Sequence, residues 1–226
     1  MTPLFIILYI VYLASSVTHS SLGTKTKAPH CDGHQANFSK SAVMGTWYVV
    51  ALIPGIGLPR LRHVECYKMD LSETDEAGVR WLVKRKIKNP SDDFIRKLTG
   101  TIIRQRFHSE KPFDIWSKGY YTSRGCFRQL LSLETNNTNV ADGEYYENYM
   151  QLHIVHTDDV RAGPYLVQVL WGRLISAIIY RRATGTSLER LEPIHEFVSK
   201  MRGHQQPPRI CDLPLKVIPP PPFQRP

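Results

Sequence analysis

The residues best equipped for chemistry in this chain are four cysteines, Cys31, Cys66, Cys126 and Cys211, and nine histidines. The cysteines form no Cys-x-x-Cys pair, so their spacing does not resemble a zinc site. His153 and His156 stand three apart in a strand-like run. Side chains at that spacing point to opposite faces, so the two cannot chelate one ion. His30 and His34 lie in a polar leader. The chain carries no Gly-x-Ser-x-Gly, no His-Glu-x-x-His and no phosphate loop. These residues predict no enzyme, no metal and no cofactor.

The cysteines read better as bridges. The chain opens MTPLFIILYIVYLASSVTHS, with an uncharged apolar run from Leu4 to Ala14 followed by small residues. That run is too short to span a bilayer, which needs about 20 helical residues. Residues 1–20 therefore read as a secretory signal, although no Lys or Arg precedes the apolar run. In an oxidising compartment an even cysteine count means two disulfides. Four cysteines allow three pairings, and spacing does not choose among them. Asn37-Phe38-Ser39 and Asn136-Asn137-Thr138 are sequons, so Asn37 and Asn136 are expected glycan acceptors. The expectation is a secreted glycoprotein that does not span the membrane.

The formal net charge is +9 over 226 residues. Arg80, Lys84, Arg85, Lys86, Lys88, Arg96, Lys97, Arg104 and Arg106 carry much of the excess. Such a surface favours acidic partners, among them an anionic glycan or a cell-surface receptor. Export makes nucleic acid the weakest of these partners, and none is expected. A solvated strand face accounts for the same charges.

The elements that would position these residues have mostly period two. Gly45–Ile53 is rich in β-branched and aromatic residues, and Pro54, Gly55, Gly57 and Pro59 break it. His63–Leu71 is a second expected strand. Val79–Ile87 is a third, with Val79, Trp81, Val83, Arg85 and Ile87 on one side. Ile95–Arg106, Phe113–Tyr121 and Cys126–Leu133 continue the series. Thr135–Gly143 is polar and reads as a loop. Tyr149–Thr157, Tyr165–Trp171 and Leu174–Arg181 follow, the last two joined by Gly172-Arg173 as a type II′ hairpin. One helix is predicted near the end. Thr186-Ser187-Leu188-Glu189 fits a capping box, Leu188, Leu191, Ile194, Val198 and Met201 share a face, and Gly203 closes it. Pro193 should kink it. Residues 21–30 form a leader, 31–205 the folded body and 206–226 a proline-rich tail, which a disulfide through Cys211 would pin to the body. The expected fold is all-β: an eight-stranded antiparallel up-and-down barrel with one C-terminal α-helix.

Over about Cys31 to Gly203 the residues resemble the lipocalin family, of the insect or apolipoprotein D type. Gly45-Thr46-Trp47-Tyr48, preceded by Asn37-Phe38, resembles the Gly-x-Trp of the family's first strand, whose Trp plugs the closed barrel end. Thr157-Asp158-Asp159 is similar to the Thr-Asp-Tyr turn between the sixth and seventh strands, with Asp159 in place of Tyr. Ile178-Ile179-Tyr180-Arg181-Arg182 ends where the family places an Arg across the Trp. Either Arg181 or Arg182 would take that role, with Arg181 favoured. Lys97-Leu98-Thr99-Gly100-Thr101 resembles a further family strand but lacks its Glu. The resemblance implies a Cys66–Cys211 disulfide and with it Cys31–Cys126, a departure from the usual family position. The stretch Thr122–Asn148 is also longer than the family pattern.

The function implied is a secreted carrier of a small hydrophobic molecule, such as a fatty acid, retinoid or pigment, inside a calyx. The expected lining is Val49, Ala51, Val79, Trp81, Val83, Leu152, Ile154, Val167, Val169 and Ile178, and a one-residue register error would exchange the faces. Gly45, Trp47, Thr157, Asp158, Arg181 and Arg182 would form the barrel floor. The alternative is an interaction protein that works through its basic surface. An isomerase branch of the family relies on a free barrel thiol, which pairing of all four cysteines would remove.

Overall fold

The computed structural model describes residues 31, 34–59, 63–86, 92–97, 99–109, 112–119, 124–134, 149–158, 163–171 and 173–212. The expected signal, the leader, Asn136, Asp159, the Gly172 turn position and the proline run after Asp212 lie outside them. Helix α1 (Lys40–Val43) leads into β1 (Gly45–Pro54) and β2 (Lys68–Thr74). Then come α2 (Glu76–Lys86), α3 (Asp92–Lys97), β3 (Ile102–His108), β4 (Phe113–Gly119) and β5 (Cys126–Glu134). The chain continues with β6 (Tyr149–Val155), β7 (Tyr165–Trp171), β8 (Ile175–Arg181), α4 (Leu188–Arg202) and β9 (Arg209–Ile210).

Strands β2 to β8 pair antiparallel in chain order, β8 pairs with β1, and β1 returns to pair with β2. The sheet is thereby closed into an eight-stranded up-and-down barrel with one long C-terminal helix. Closure removes the unpaired edges of an open sheet. The short β9 adds to β1 where β2 has diverged.

Two layers of helix cover the barrel wall. Leu191, Ile194 and Val198 of α4 pack on Ala51, Val167, Val169, Ala177 and Ile179. On the opposite wall, Val79 and Val83 of α2 pack on Ile102 and Trp116, joined by Ile95 of α3. At about 25 cal/mol per Å² of buried apolar area, each helix is held mainly by this contact rather than by its own propensity.

Helix α2 corrects the sequence reading, which gave Val79–Ile87 as a strand. Val79 and Val83 satisfy period two, but they also stand one helical turn apart and meet the wall together. Asp75 starts the helix, its carboxylate accepting from the Gly78 N–H. Glu76 lies in the first turn and basic residues gather near the end, both suited to the helix dipole. The expected strand Ile95–Arg106 likewise splits into α3 and β3. The second strand begins at Lys68 rather than His63.

The predicted capping box at Thr186 does not form. Ser187 is the N-cap without a side-chain cap bond. The Thr186 hydroxyl instead meets the Tyr165 hydroxyl at 3.0 Å. Pro193 lies within the continuous helix Leu188–Arg202, which ends at Gly203.

Both disulfides implied by the resemblance are present, Cys31–Cys126 and Cys66–Cys211. Cys66–Cys211 fixes the segment after α4 beside β1, where Gln206 also donates to the carbonyls of Gly55 and Leu58, both at 2.7 Å. The first residues of the expected tail are thus part of the fold.

Candidate functional site

The strand faces that point inward define the site. Trp47 and Val49 of β1, Met69 and Leu71 of β2, Ile103 and Phe107 of β3, and Phe127 of β5 form one buried cluster. Met150, Leu152 and Ile154 of β6, Leu166 of β7 and Tyr180 of β8 complete it. This cluster is the barrel interior. Phe113, Ile115, Leu170, Ile178 and Tyr67 are partly buried against it. Towards the barrel end away from Trp47, Phe107 stacks on Phe113 with centroids 4.6 Å apart, and Tyr67 meets Phe107 edge-on at 5.6 Å.

The closed end is locked by Trp47 and Arg182. The Trp47 indole is fully buried, and its N–H donates to the Val43 carbonyl at 2.6 Å. The Arg182 guanidinium lies 3.7 Å from the indole centroid. It also donates to the carbonyls of Thr46, Ala42 and Met44 at 2.7, 2.9 and 2.7 Å. Gly45 has φ +98°, and a Cβ there would lie 3.1 Å from Arg182 Nη1. Only glycine gives the guanidinium this approach without strain. Arg181, favoured for this role in the sequence, instead points outward: it donates to the Gly185 carbonyl at 2.6 Å and lies 5.4 Å from the Tyr165 ring centroid. Thr157 and Asp158 follow β6 at this same barrel end, and Asp158 is exposed.

The expected lining residues fall on both faces of the barrel wall. Val49, Leu152 and Ile154 face inward, and Ile178 packs at the margin of the same cluster. Ala51 does not. A bulge shifts the β1–β8 register between Val49 and Ala51, so two residues apart no longer means one face. Ala51, Val167 and Val169 pack outward under α4. Val79 and Val83 lie outside the barrel on α2, and Trp81 is 59% exposed.

Sequence reasoning missed a polar group inside the barrel. Gln105 lies between Ile103 and Phe107 on β3, and Gln168 between Leu166 and Leu170 on β7. Gln105 Nε2 donates to Gln168 Oε1 at 3.0 Å. Strands β3 and β7 are not neighbours, so this bond crosses the interior. The Tyr180 hydroxyl donates to the same Gln168 oxygen at 2.8 Å, and Gln168 Nε2 donates to Met150 Sδ at 2.9 Å. Burial raises the Tyr180 hydroxyl well above its usual range, with a lesser push from Tyr67. It raises Tyr67 too, helped by Glu65, so both hydroxyls remain neutral.

Outside the barrel, Arg104 and Arg106 share Asp114 at 2.6 and 3.0 Å. Burial alone would raise the Asp114 carboxyl, but the hydrogen bonds and charges of Arg106 and Arg104 outweigh it and hold it low. Part of the basic surface is therefore internally neutralised. His153 faces α4, its ring 4.9 Å from Phe197. Burial, with the nearby His34, lowers it to about 4. Asn37 is exposed, and its Nδ2 donates to the Ile154 carbonyl at 3.2 Å.

Among the described residues no helix is long and apolar enough to cross a membrane, and no three His, Cys, Asp or Glu side chains gather to hold a metal ion. All four cysteines are bridged. No protein-family model and no curated protein matches the chain.

Proposed function

We propose that the chain is a lipocalin, a secreted carrier that holds a small hydrophobic molecule inside its barrel and does no chemistry on it. One observation carries this reading: a closed barrel whose interior is lined by apolar and aromatic side chains and locked at one end by Trp47 and Arg182. An eight-stranded barrel is about the size that holds one small ligand. Affinity would come from apolar area removed from water, less the entropy of association. The bridged cysteines support an extracellular setting, and leave no thiol for nucleophilic chemistry.

Expression in secretory cells tests both halves of this reading. The protein should be recovered from the medium, and native mass spectrometry should find a mass above that of the chain and its glycans that organic extraction removes. Retention in the cell, or a mass unchanged by extraction, would count against it.

A second reading has one observation in its favour. Helix α2 displays Trp81 beneath the guanidinium of Arg85, 5.1 Å from the ring centroid, with Arg80 and Lys84 nearby. A basic helix with an exposed indole suits an anionic glycan or receptor surface. Salt-sensitive heparin binding that is lost in Trp81→Ser with Arg85→Ser would support it.

A further inference from the structure

The polar group inside the barrel is unfinished. Gln105 is fully buried, and its Oε1 has no hydrogen-bond partner among the described residues. An acceptor left unmet in such a place keeps the full penalty of its lost hydration. Its orientation is fixed by its neighbours. The Met150 sulfur can only accept, so it holds the Gln168 amide with Nε2 towards itself and Oε1 towards Gln105 and Tyr180. Gln105 must then present Nε2 to that oxygen, which leaves its own oxygen unmet. Flipping either amide would set like atoms against each other.

The position of this acceptor is as telling as its state. Gln105 sits one step on the closed side of Phe107, whose ring stacks on Phe113 and meets Tyr67. A molecule entering from the open end would pass these rings before reaching the amide. Ser117 also points inward, because it pairs with Ile103, and its buried hydroxyl likewise lacks a partner among the described residues. No member of the Gln105–Gln168–Tyr180–Met150 group carries a charge.

We propose that Gln105 anchors the polar end of the ligand, and that the ligand is a neutral molecule with an apolar body and a terminal hydrogen-bond donor, such as a long-chain alcohol. This rests on the carrier reading above and narrows it. The ligand's hydroxyl donates to Gln105 Oε1, and its chain lies against Tyr67, Phe107 and Phe113. An ionised carboxylate of the same length offers only acceptors and meets an oxygen with an oxygen. An ether lacks the donor as well.

The test uses three fluorescent polyene probes of one chain length: cis-parinaryl alcohol, its methyl ether and cis-parinarate, titrated at about pH 8, where the carboxyl is ionised. The alcohol should bind about tenfold tighter than either control, the value of one hydrogen bond to a buried, otherwise unmet acceptor. Gln105→Met should remove that margin by weakening the alcohol alone. Alcohol and ether binding equally well, or a folded Gln105→Met variant that keeps the margin, would overturn the proposal and leave the carrier reading standing. If none of the three binds, the carrier reading fails and this proposal with it. Should Gln105→Met not fold, the wild-type protein still decides. Its Gln105 side-chain amide resonance should shift on adding the alcohol and not the ether, and an unmoved resonance overturns the assignment.

Discussion

Arg182 caps Trp47 from below, its guanidinium 3.7 Å from the indole centroid while three backbone carbonyls accept from its Nη1 and Nη2. The contact joins the end of β8 to the start of β1 and to α1, so one side chain ties together the closed end. Arg182→Ala should destabilise the protein by about 1–2 kcal/mol, combining a cation–π contact at a solvent-facing guanidinium with the loss of its hydrogen bonds to three backbone carbonyls. Trp47→Ala should cost about 3–5 kcal/mol. In a double-mutant cycle the two losses should fall short of additive by about 1–2 kcal/mol. Strict additivity in denaturant melts would mean that the two side chains act independently.

The pH dependence of stability should carry the mark of His153. Its folded pKa of about 4 lies below the ordinary value of 6.5, because burial disfavours the charged ring and His34 adds to the effect. The unfolded chain therefore binds more protons between these values, and unfolding is favoured as pH falls. Stability should be full above about pH 6.5 and decline by about 2–3 kcal/mol on the way to pH 4. His153→Leu should flatten that decline. Below pH 4 a further loss should follow as Asp70 and Asp114 are protonated. Their hydrogen bonds, from Thr46, His108 and Lys68 and from the two arginines, outweigh the burial that would raise them.

The two faces of α2 give a contrast that the strand reading would not. Val79→Ala should cost about 1–2 kcal/mol, since it opens space between the helix and Ile102 and Trp116. Trp81→Ser should change the melting temperature little. Equal losses at both positions would return Trp81 to a buried face.

Reduction should act through the long loops. Cys66–Cys211 spans 145 residues and Cys31–Cys126 spans 95. Removing either pair by Cys→Ala should cost about 2–5 kcal/mol. Loss of Cys66–Cys211 should also free β9 and the residues after it, read as faster amide exchange at Asp212, whose N–H donates to the Val64 carbonyl. Exchange at Asp212 as slow as in the wild type would show that backbone pairing holds this arm without the bridge.

Much of the barrel was legible because turns and β-rich runs coincide at β1, β4 and β6–β8, and because Trp47 has so specific a setting. The interior was less so. Strands β6 and β7 are buried on both faces, one by the barrel and one by α4, so Val167 and Val169 look like lining when they are outer wall. At β1 a single bulge turned Ala51 outward. The α2 region misled because valine and tryptophan favour strands and occur there at alternate positions. Asp75-Glu76 before the run and the basic residues at its end were the helical signal. Gln105 and Gln168 are polar, and polarity on a strand ordinarily means solvent. Only the closed topology shows that they meet across the barrel.

The most direct test of the carrier account is to fill the cup and ask whether binding stops. An uncharged apolar fluorescent probe would be titrated into the wild-type protein, into Leu170→Trp, which adds bulk on the interior face of β7, and into the surface control Trp81→Ser. The account predicts saturable binding to the wild type and to Trp81→Ser, and its loss in a Leu170→Trp protein that still melts cooperatively. Undiminished binding to that folded variant, or binding lost only in Trp81→Ser, would place the ligand outside the barrel and contradict the account.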